Sequence, residues 1–482
     1  MPPTTKNGTM PSTTHLTRPL RIGMIGAGTV GGGVYEIIMN RLGGGKSGDA
    51  SSSTSSRGSI STPTPIITKI CVRDPSKPRN FHVDPNMTKI VTDTSSITSD
   101  PNIDLVVEVA GGVTFAKDAV YDSIRNGKSV VTANKALIAE NMEELIGMIG
   151  IANGEGGESN SASCGRRGGG GVRFGYEASV CGGIPVIHAL QSCYAGDIIN
   201  EVMGICNGTT NYMLGKMEDG EDYDSVLREA QELGFAESDP SADVEGYDVR
   251  AKISILAKLA FGVSVPIESV PCMGITNISV VDFQYAKSMG CTIKLVGTAV
   301  RKSRYGEHDG ALSVYVSPKL VPNGHLLASA IGCGNAVSIN SANLGLASFG
   351  GAGAGRYPTA NSVVADIMRV ANGTCPTAPF PPVPSSSSFV DDIDSDYESA
   401  FYVRISFRDG LGIVRIIGEL AESQGVSIHS ILQRPITDRM AADTVVTTES
   451  CKLSQVVALC DLIGREEFAL STPVYMPMIP EY

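Results

Sequence analysis

Between residues 20 and 152, short apolar runs alternate with longer segments whose apolar residues have helical spacing. The runs predict buried strands at 20–26, 66–72, 103–109 and 129–131. The spaced segments predict helices at 29–41, 114–126 and 142–151. Strands that alternate with helices need crossover connections and form a parallel sheet. The pattern therefore predicts a doubly wound α/β domain.

From about residue 172 to residue 347, the pattern mixes strands with long helices and loses the regular alternation. Strands are predicted at 172–176, 293–300 and 312–316, and helices at 223–232 and 249–261. This mixture is typical of an α+β domain.

The C-terminal part of the chain shows a third pattern, in which strands and helices follow the order βαββαβ. Strands are predicted at 401–407, 426–432, 444–448 and 470–476, with a second helix at 453–463. The first helix is amphipathic, because its apolar residues fall at one-sided helical spacing: Ile413, Ile416, Ile417, Leu420 and Ala421. This order is that of the ferredoxin-like split unit.

Three low-complexity stretches interrupt these patterns, at 43–64, 153–171 and 374–388. They consist mainly of Gly, Ser, Thr and Pro and cannot bury enough apolar surface to order themselves. We interpret the first two as insertions into surface loops, because regular structure resumes after each. The third is interpreted as a linker between domains.

Charge and composition exclude several classes of function for these 482 residues. Because 38 Lys and Arg stand against 50 Asp and Glu, the net charge of -12 argues against nucleic acid or an anionic membrane as the main partner. No apolar run approaches the roughly 18 residues of a membrane span. The 11 cysteines and 6 histidines show no zinc-like spacing, which favours reduced thiols in a cytosolic protein. A short N-terminal organelle-targeting peptide is a less favoured alternative to a disordered tail.

The first predicted strand leads into a glycine-rich turn and then a helix. The turn reads Gly26, Ala27, Gly28, Thr29, Val30, Gly31. Glycines at this spacing permit a tight turn, the close approach of a pyrophosphate and the packing of helix on strand. The alternative is a purely structural turn, but the position after an N-terminal strand predicts a Rossmann-type dinucleotide site.

The second strand ends at Arg73-Asp74, where such folds contact the ribose. An acidic residue there favours NAD, whereas an arginine accommodates the 2′-phosphate of NADP. Because Arg73 comes first and Lys77 lies one turn away, we predict NADP(H) as the preferred cofactor. Asp74 keeps NAD(H) as the alternative.

An acidic loop at 237–248 leads into the predicted helix that carries Lys252. Asp248 stands four residues before Lys252, so the two side chains share one helix face. The pair is either a surface ion pair or a site in which desolvation tunes the lysine to act as an acid near neutral pH. Periodicity alone does not decide between them.

Six segments together resemble homoserine dehydrogenase, in that family's order and over most of residues 21–370. They are Gly26–Gly31, VEVAGG at 107–112, TANKAL at 132–137, EASVCGGIP at 177–185, NGTTNY at 207–212 and GAGRYPTA at 353–360. The resemblance implies NAD(P)H-dependent reduction of L-aspartate 4-semialdehyde to L-homoserine, on the route to threonine and methionine. The insertions at 43–64 and 153–171 depart from the family in length.

The resemblance also implies roles for individual residues. Lys252, with Asp248, resembles the catalytic general acid/base, and Lys135 a second lysine beside cofactor and substrate. The implied substrate contacts are Glu237, Asp243, Asp248, Lys135, Gly208 and Thr209. Gly353 would return the chain to the nucleotide domain and contact the nicotinamide end. A monovalent cation, Na⁺, would be held by Glu177, Val180, Gly182 and Ile184.

The implied organisation is a tail, three domains and a linker. The ranges are a tail at 1–20, a nucleotide-binding domain at 21–152 completed by about 348–373, a substrate and dimerisation domain at 172–347, a linker at 374–399 and a regulatory domain at 400–482. The last resembles an ACT domain, with Leu411 where proline is usual, and implies feedback inhibition by L-threonine in a homodimer or tetramer. Alternatives are an ACT domain that serves only oligomerisation, a non-catalytic amino-acid sensor, and aspartate-semialdehyde dehydrogenase.

Overall fold

A computed structural model describes residues 19–42, 63–154, 171–301, 311–381 and 393–480. The predicted tail, most of the two insertions and the central part of the linker lie outside these described residues. In the described ranges, no helix combines the length and apolar character that crossing a bilayer requires.

The first domain contains a six-stranded sheet in which all neighbouring strands are parallel. The strands are β1 (Leu20–Ile25), β2 (Pro65–Cys71), β3 (Lys89–Val91), β4 (Leu105–Glu108), β5 (Ser129–Thr132) and β6 (Phe174–Gly175). Their spatial order is β3-β2-β1-β4-β5-β6. The order reverses between β1 and β4, and ligands of such sheets bind at the carboxyl ends of the strands at this point. The predicted doubly wound domain is confirmed.

Helices flank this sheet. They are α1 (Thr29–Tyr35), α2 (Ser95–Thr98), α3 (Thr114–Arg125), α4 (Lys135–Glu140) and α5 (Met142–Asn153). The predicted helix at 29–41 changes to π-helical geometry over Glu36–Arg41, where the Leu42 amide donates to the Ile37 carbonyl at 3.0 Å. The chain is helical over the whole predicted range, but periodicity does not reveal the local widening of the helix.

The second domain is built on an antiparallel sheet with the order β11-β10-β7-β8-β9. Its strands are β7 (Ile199–Ile205), β8 (Cys291–Arg301), β9 (Leu312–Pro322), β10 (Gly334–Ser341) and β11 (Gly345–Ala352). Its helices are α6 (Val186–His188, continued by a π-helical turn at Ala189–Cys193), α7 (Gly208–Glu218), α8 (Tyr223–Glu232), α9 (Ser241–Val244), α10 (Tyr247–Phe261) and α11 (Val280–Ser288). Helix α10 packs across strands β7, β8 and β9.

Two segments beyond residue 152 pack on the first domain, and the first of them departs from the sequence prediction. The strand predicted at 172–176 forms only as Phe174–Gly175 and pairs with β5, so it completes the parallel sheet and not the second domain. The pattern could not reveal this, because a short apolar run does not specify its partner strand. Helix α12 (Arg356–Ala371) packs on α1, and a Cβ added at Gly33 would lie 2.8 Å from that of Ala360.

The C-terminal unit has the predicted βαββαβ order. Its elements are β12 (Glu398–Phe407), α13 (Ile413–Ser423), β13 (Ile428–Gln433), β14 (Ala442–Thr448), β15 (Cys451–Lys452), α14 (Leu453–Ile463) and β16 (Val474–Met478). The main strands are ordered β16-β12-β14-β13, and neighbours are antiparallel. Strand β16 also pairs with β9 where Met478 meets Leu320, so the two units share one ten-stranded sheet.

A buried polar cluster fastens the C-terminal unit to helix α11. The Asp282 side chain has no solvent exposure and accepts hydrogen bonds from the Tyr402 hydroxyl at 2.9 Å and from Arg404 Nε at 2.7 Å. One helical turn away, the Tyr285 hydroxyl donates to the Asp443 carbonyl at 2.7 Å. Asp282 therefore holds two side chains of β12 in a site from which water is excluded.

Replacing Asp282 with Ala should destabilise this junction by about 3–5 kcal/mol, because the buried Tyr402 hydroxyl would lose its acceptor and the Arg404 charge would keep only the longer ion pair to Asp443, at 3.7 Å. The matched control is Arg415→Ala, which breaks the exposed Arg415–Glu419 pair at 2.6 Å and should cost less than about 1 kcal/mol. Urea unfolding curves measure the free energy of unfolding of both variants. Equal, small losses would show that Asp282 does not stabilise the junction.

Candidate active site

The glycine turn after β1 has the geometry of a phosphate-binding loop. Gly26 has a φ of 102°, and a Cβ there would lie 2.7 Å from the backbone of Val109 and Ala110. A Cβ on Gly31 would lie 2.5 Å from the Gly26 carbonyl oxygen. Gly28 precedes α1, and nothing lies within 4 Å of the position of its missing Cβ. Gly26 and Gly31 thus permit close backbone packing, whereas Gly28 leaves space for a ligand.

This turn forms one wall of a cleft of about 970 Å³ at the carboxyl ends of β1, β2 and β4. Ala27 and Thr29 line the cleft, whereas Val30 packs on the domain core. Three cationic residues also line the cleft: Arg73, Lys77 and Arg79. Arg79 was not predicted, because no motif marks it. The cleft can hold a dinucleotide phosphate chain and a further anionic group.

The Asp74 carboxylate also lines this cleft but is engaged locally. Its Oδ1 accepts hydrogen bonds from the Ser76 amide at 2.8 Å and the Ser76 hydroxyl at 2.6 Å. Arg79 donates to the Asp74 carbonyl at 2.9 Å. The hydrogen bonds from Ser76 lower the pKa of Asp74. The segment therefore forms a tight turn, which Arg79 also closes by donating to the Pro75 and Lys77 carbonyls at 3.2 and 3.0 Å.

A buried glutamate joins the ends of strands β4 and β5. Glu108 Oε2 accepts from the Thr132 hydroxyl at 2.6 Å, and Oε1 accepts from the backbone amides of Ala110 and Gly111 at 2.9 and 3.0 Å. Asn134 then caps α4 by accepting from the Leu137 amide at 3.1 Å. This local structure fixes the first residue of α4, which is Lys135.

Two lysines converge on one buried carboxylate. Lys252 Nζ lies 2.7 Å from Asp248 Oδ2 and donates to the Cys206 carbonyl at 2.6 Å. Lys135 Nζ lies 2.8 Å from Asp248 Oδ1. Lys135 comes from the first domain, whereas Asp248 and Lys252 come from α10 of the second. The site therefore lies at the junction of the two domains.

The electrostatics of this triad oppose one of the two sequence hypotheses. Burial by itself raises the pKa of Asp248, but the charges of Lys252 and Lys135 outweigh it and hold that pKa well below its usual range. Burial by itself lowers the pKa of Lys252, yet the Asp248 charge outweighs it and raises that pKa above its ordinary value. Desolvation therefore does not set the direction of the Lys252 pKa in this arrangement, since the Asp248 charge outweighs it. The alternative of a surface ion pair does not fit either, because both side chains are buried.

A second carboxylate, Asp243, lies beside the triad and is linked to it by Asn207. Asn207 Nδ2 donates to Asp243 Oδ1 at 2.6 Å and to Asp248 Oδ2 at 2.9 Å. Burial raises the pKa of Asp243, while the hydrogen bond from Asn207 lowers it and the Asp248 charge raises it. Asn207 was not singled out from the sequence, because an asparagine before a helix reads only as a cap.

The other predicted substrate residues are Gly208, Thr209 and Glu237, and their surroundings differ. Gly208 begins α7 directly after Asn207, and the Thr209 hydroxyl donates to the Phe235 carbonyl at 2.8 Å. Glu237 is exposed, and among the residues that the structure describes its carbonyl, not its carboxylate, accepts a hydrogen bond, from Gln231 at 3.0 Å. The prediction that Glu237 joins the substrate carboxylates therefore receives no support from this geometry. The density of acidic residues in the loop does not reveal which ones face inward.

The segment of the predicted cation site packs against the glycines that precede α12. A Cβ on Gly182 would collide with the Gly353 carbonyl, so these two backbones are in direct contact. Val180 and Ile184 are buried, and both Cys181 and Gly182 have positive φ, at 53° and 46°. Gly353 thus lies beside the predicted cation segment at the entrance to α12.

The Glu177 carboxylate is buried and is held by backbone amides of the helix that follows it. It accepts from the amides of Ile187 at 3.0 Å and His188 at 2.8 Å, and the His188 ring lies 2.8 Å from Asp366. Burial raises the pKa of Glu177 to about 7, and the Asp366 charge adds to this. In the described ranges, no group of three or more His, Cys, Asp or Glu side chains has metal-binding geometry.

Comparison with known proteins gives consistent matches along the chain. The family model described as homoserine dehydrogenase matches residues 185–368, and the model described as its NAD binding domain matches residues 26–149. A homoserine dehydrogenase from Synechocystis is 36% identical over 441 residues, which cover 89% of this chain and 92% of that protein. The crystal structure of a homoserine dehydrogenase from Thiobacillus denitrificans has a TM-score of 0.76 and 29% identity, covering 96% of this chain and 98% of that one. A hyperthermophilic archaeal homoserine dehydrogenase in complex with NADPH shares the fold, with a TM-score of 0.56, 22% identity and coverage of 76% of this chain and 99% of that one.

The glycine turn makes a test of dinucleotide binding possible. Gly28→Ala should keep the thermal midpoint but weaken NADPH binding by at least about tenfold, because its Cβ would enter the space reserved for the phosphates. Gly31→Ala should lower both the thermal midpoint and the affinity for NADPH, because its Cβ would meet the Gly26 carbonyl. The control is Gly147→Ala in α5, where the added Cβ meets nothing within 4 Å and should stabilise the helix by about 0.5–1 kcal/mol. Unchanged NADPH affinity in Gly28→Ala, measured by fluorescence titration, would contradict this location of the phosphates.

Proposed function

The chain belongs to the homoserine dehydrogenase family, and from that premise we propose how its own residues carry out the reaction. It is an NAD(P)-dependent oxidoreductase that interconverts L-aspartate 4-semialdehyde and L-homoserine. The observation that carries the assignment of residues is the Lys135–Asp248–Lys252 triad at the junction of the domains.

Lys252 is the proton donor in the direction of reduction. A nicotinamide cofactor, held by the cleft from Gly26 to Arg73, supplies the hydride when it is bound. The aldehyde oxygen then gains negative charge, and a protonated amine in hydrogen-bond reach neutralises it and leaves a hydroxyl group. The raised pKa of Lys252 keeps this proton in place until the oxygen becomes basic.

Asp243 and Asp248 bind the substrate ammonium group. Both carboxylates are held by Asn207, and a substrate cation placed between them offsets part of the Asp248 charge. Because that charge raises the pKa of Lys252, substrate binding lowers the pKa of the lysine towards the range in which it transfers its proton. Lys135 compensates the remaining negative charge from the side of the cofactor domain.

Replacing Lys252 with Met should lower kcat by on the order of 10²–10⁴, the usual contribution of general acid–base catalysis. The matched control is Lys258→Met on the same helix, because Lys258 is also buried but donates to the Gly262 carbonyl at 3.0 Å. Initial rates with aspartate semialdehyde and NADPH measure both variants. A Lys252→Met enzyme with wild-type kcat would disprove the assigned role, and equal losses in both variants would point to helix damage.

We propose that NADP(H) is the preferred cofactor, with NAD(H) as the alternative. Arg73, Lys77 and Arg79 present three positive charges to the cleft, whereas the Asp74 carboxylate is engaged by Ser76. A 2′-phosphate gains charge-assisted hydrogen bonds from such cations, and a ribose hydroxyl gains less. The NADPH bound to the archaeal relative agrees with this preference.

Arg73→Ala should raise KM for NADPH by about 10–100-fold, the value of one hydrogen bond to a charged group, and change KM for NADH by less than about threefold. Lys89→Ala is the control, because Lys89 is an exposed cation of the same sheet that does not line the cleft. Steady-state kinetics with both cofactors measure the ratio. Parallel changes for NADPH and NADH would argue against a 2′-phosphate site at Arg73.

We also propose that Na⁺ binds beside the turn that follows Glu177. The expected ligands are Glu177 together with the carbonyl oxygens of Val180, Gly182 and Ile184. Glu177 fits, because each carboxylate oxygen can accept beyond its present amide donor, and Asp366 adds a second buried negative charge nearby. The thermal midpoint should rise in NaCl relative to choline chloride, and an equal rise in Glu177→Gln would contradict the site.

The C-terminal unit is proposed to be an ACT domain that binds L-threonine between paired units and inhibits the enzyme. Its strand order supports this, as do the fully exposed Leu411 and the half-exposed Val414 beside its first turn, which offer apolar surface to a second unit. The alternative is a unit that serves only oligomerisation. Initial rates with and without threonine distinguish them, because rates that stay unchanged at millimolar threonine would contradict inhibition.

The chain is proposed to form a homodimer or tetramer. Ile331 and Leu344 are exposed apolar residues of the second domain, and β11 is an edge strand of the ten-stranded sheet. Exposed apolar surface and an uncovered edge favour association. Light scattering of the purified chain tests this, since a monomeric mass at assay concentration would contradict it.

A further inference from the structure

Asn207 stands at the point where β7 ends and α7 begins, and its side chain is almost fully buried, with 5% exposure. Its Oδ1 accepts from the Thr210 amide at 2.8 Å and from the Thr210 hydroxyl at 3.0 Å. Its Nδ2 donates to Asp243 at 2.6 Å and to Asp248 at 2.9 Å. Both donors and both acceptor positions of the amide are therefore occupied.

The orientation of this amide is fixed by the helix. The Thr210 backbone amide can only donate, so the oxygen of Asn207 must face α7. The nitrogen must then face the two carboxylates, which come from different elements, Asp243 from α9 and Asp248 from α10. The cap of one helix thus sets the spacing of two acids on two others.

We propose that Asn207 is a positioning residue that holds Asp243 and Asp248 as an ionised pair for the substrate ammonium. The inference deepens the proposed function, because it rests on these two acids as the ammonium site. The preceding residue contributes to the same arrangement, since the Cys206 carbonyl accepts from Lys252 at 2.6 Å. Two consecutive residues therefore fix the proton donor and both acids.

A neutral double donor suits this position because two neighbouring carboxylates repel each other. The charged groups that face Asp243 are Asp248 and Lys252 of α10 and Lys135 of α4. Burial and Asp248 raise the pKa of Asp243, whereas the hydrogen bond from Asn207 and the two lysines lower it. Loss of the Asn207 amide donor removes one of the contributions that lower the pKa of Asp243. The acidic limb of the kcat/KM profile must then move to higher pH.

The test uses Asn207→Ser in the full chain, because serine keeps a good helix cap but has no amide donor. KM for homoserine should rise by about 10–100-fold, the value of hydrogen bonds to charged groups, with a smaller change in kcat. The acidic limb should move to higher pH, because the hydrogen bond from Asn207 lowers the pKa of Asp243. KM for NADP⁺ and the thermal midpoint should stay close to the wild-type values.

Two further variants separate positioning from a purely structural role. Asn207→Asp keeps the cap and the size but adds a third carboxylate, so it should shift the acidic limb further than Asn207→Ser. Asp222→Ser alters the exposed cap of α8, where Asp222 accepts from the Ser225 amide at 3.1 Å, and should leave KM and the pH profile unchanged. If Asn207→Ser does not fold, the Asp variant alone provides the comparison.

Wild-type KM and pH profile in either folded Asn207 variant would overturn the proposal. A parallel loss of kcat, cofactor affinity and thermal midpoint would also overturn it, because it would mark Asn207 as a structural cap only. Calorimetry of homoserine binding without cofactor measures the ammonium site in the absence of turnover. A failure of the role given to Lys252 therefore remains distinguishable from a failure of this inference.

Discussion

The site depends on one buried carboxylate that lies between two ammonium groups. Taking a single charged lysine out of water is costly, and Asp248 offsets this cost for Lys252 while it also pairs with Lys135 at the domain junction. Removal of the carboxylate would leave two neighbouring positive charges, one of them deeply buried. Because the three groups come from two domains, the triad exists only when α4 and α10 are packed together. The ion triad is therefore stable only in one relative position of the two domains. That position also places the cofactor cleft beside the substrate acids.

The parallel sheet explains why Lys135 is available at that junction. Strand β5 ends at Thr132, and Glu108 ties this end to β4, so α4 begins at the carboxyl edge where the cofactor cleft opens. Ligands of doubly wound sheets bind at this edge. The second domain then needs only one helix, α10, laid over its sheet with the Asp248 end towards the same edge. The reacting groups therefore meet at the place that the strand order defines.

Much of this could be predicted from the sequence, and the failures have physical causes. Strands such as β1 and β2 are runs of buried apolar residues, and the Asp248–Lys252 spacing follows from helix geometry alone. Strands β10 and β11 were missed because they are rich in Gly, Ser and Asn and form by pairing with each other. Asn207 was missed because its two acidic partners lie 36 and 41 residues away, which no local pattern encodes. The direction of the Lys252 pKa follows from the balance between burial, which lowers it, and the Asp248 charge, which raises it, and spacing reports only the second.

The continuous sheet connects the C-terminal unit to α10, the helix that carries Lys252. Strand β16 pairs with β9, β9 pairs with β8 along its whole length, and α10 rests on β8. Helix α10 and strand β8 are closely packed, because a Cβ on Gly297 would lie 2.9 Å from Val249 and 3.0 Å from Ile253. Close-packed interfaces do not deform smoothly, so a shift of β8 must either carry α10 with it or break this contact. The helix that carries Asp248 and Lys252 is therefore joined to the C-terminal unit through β8, β9 and β16.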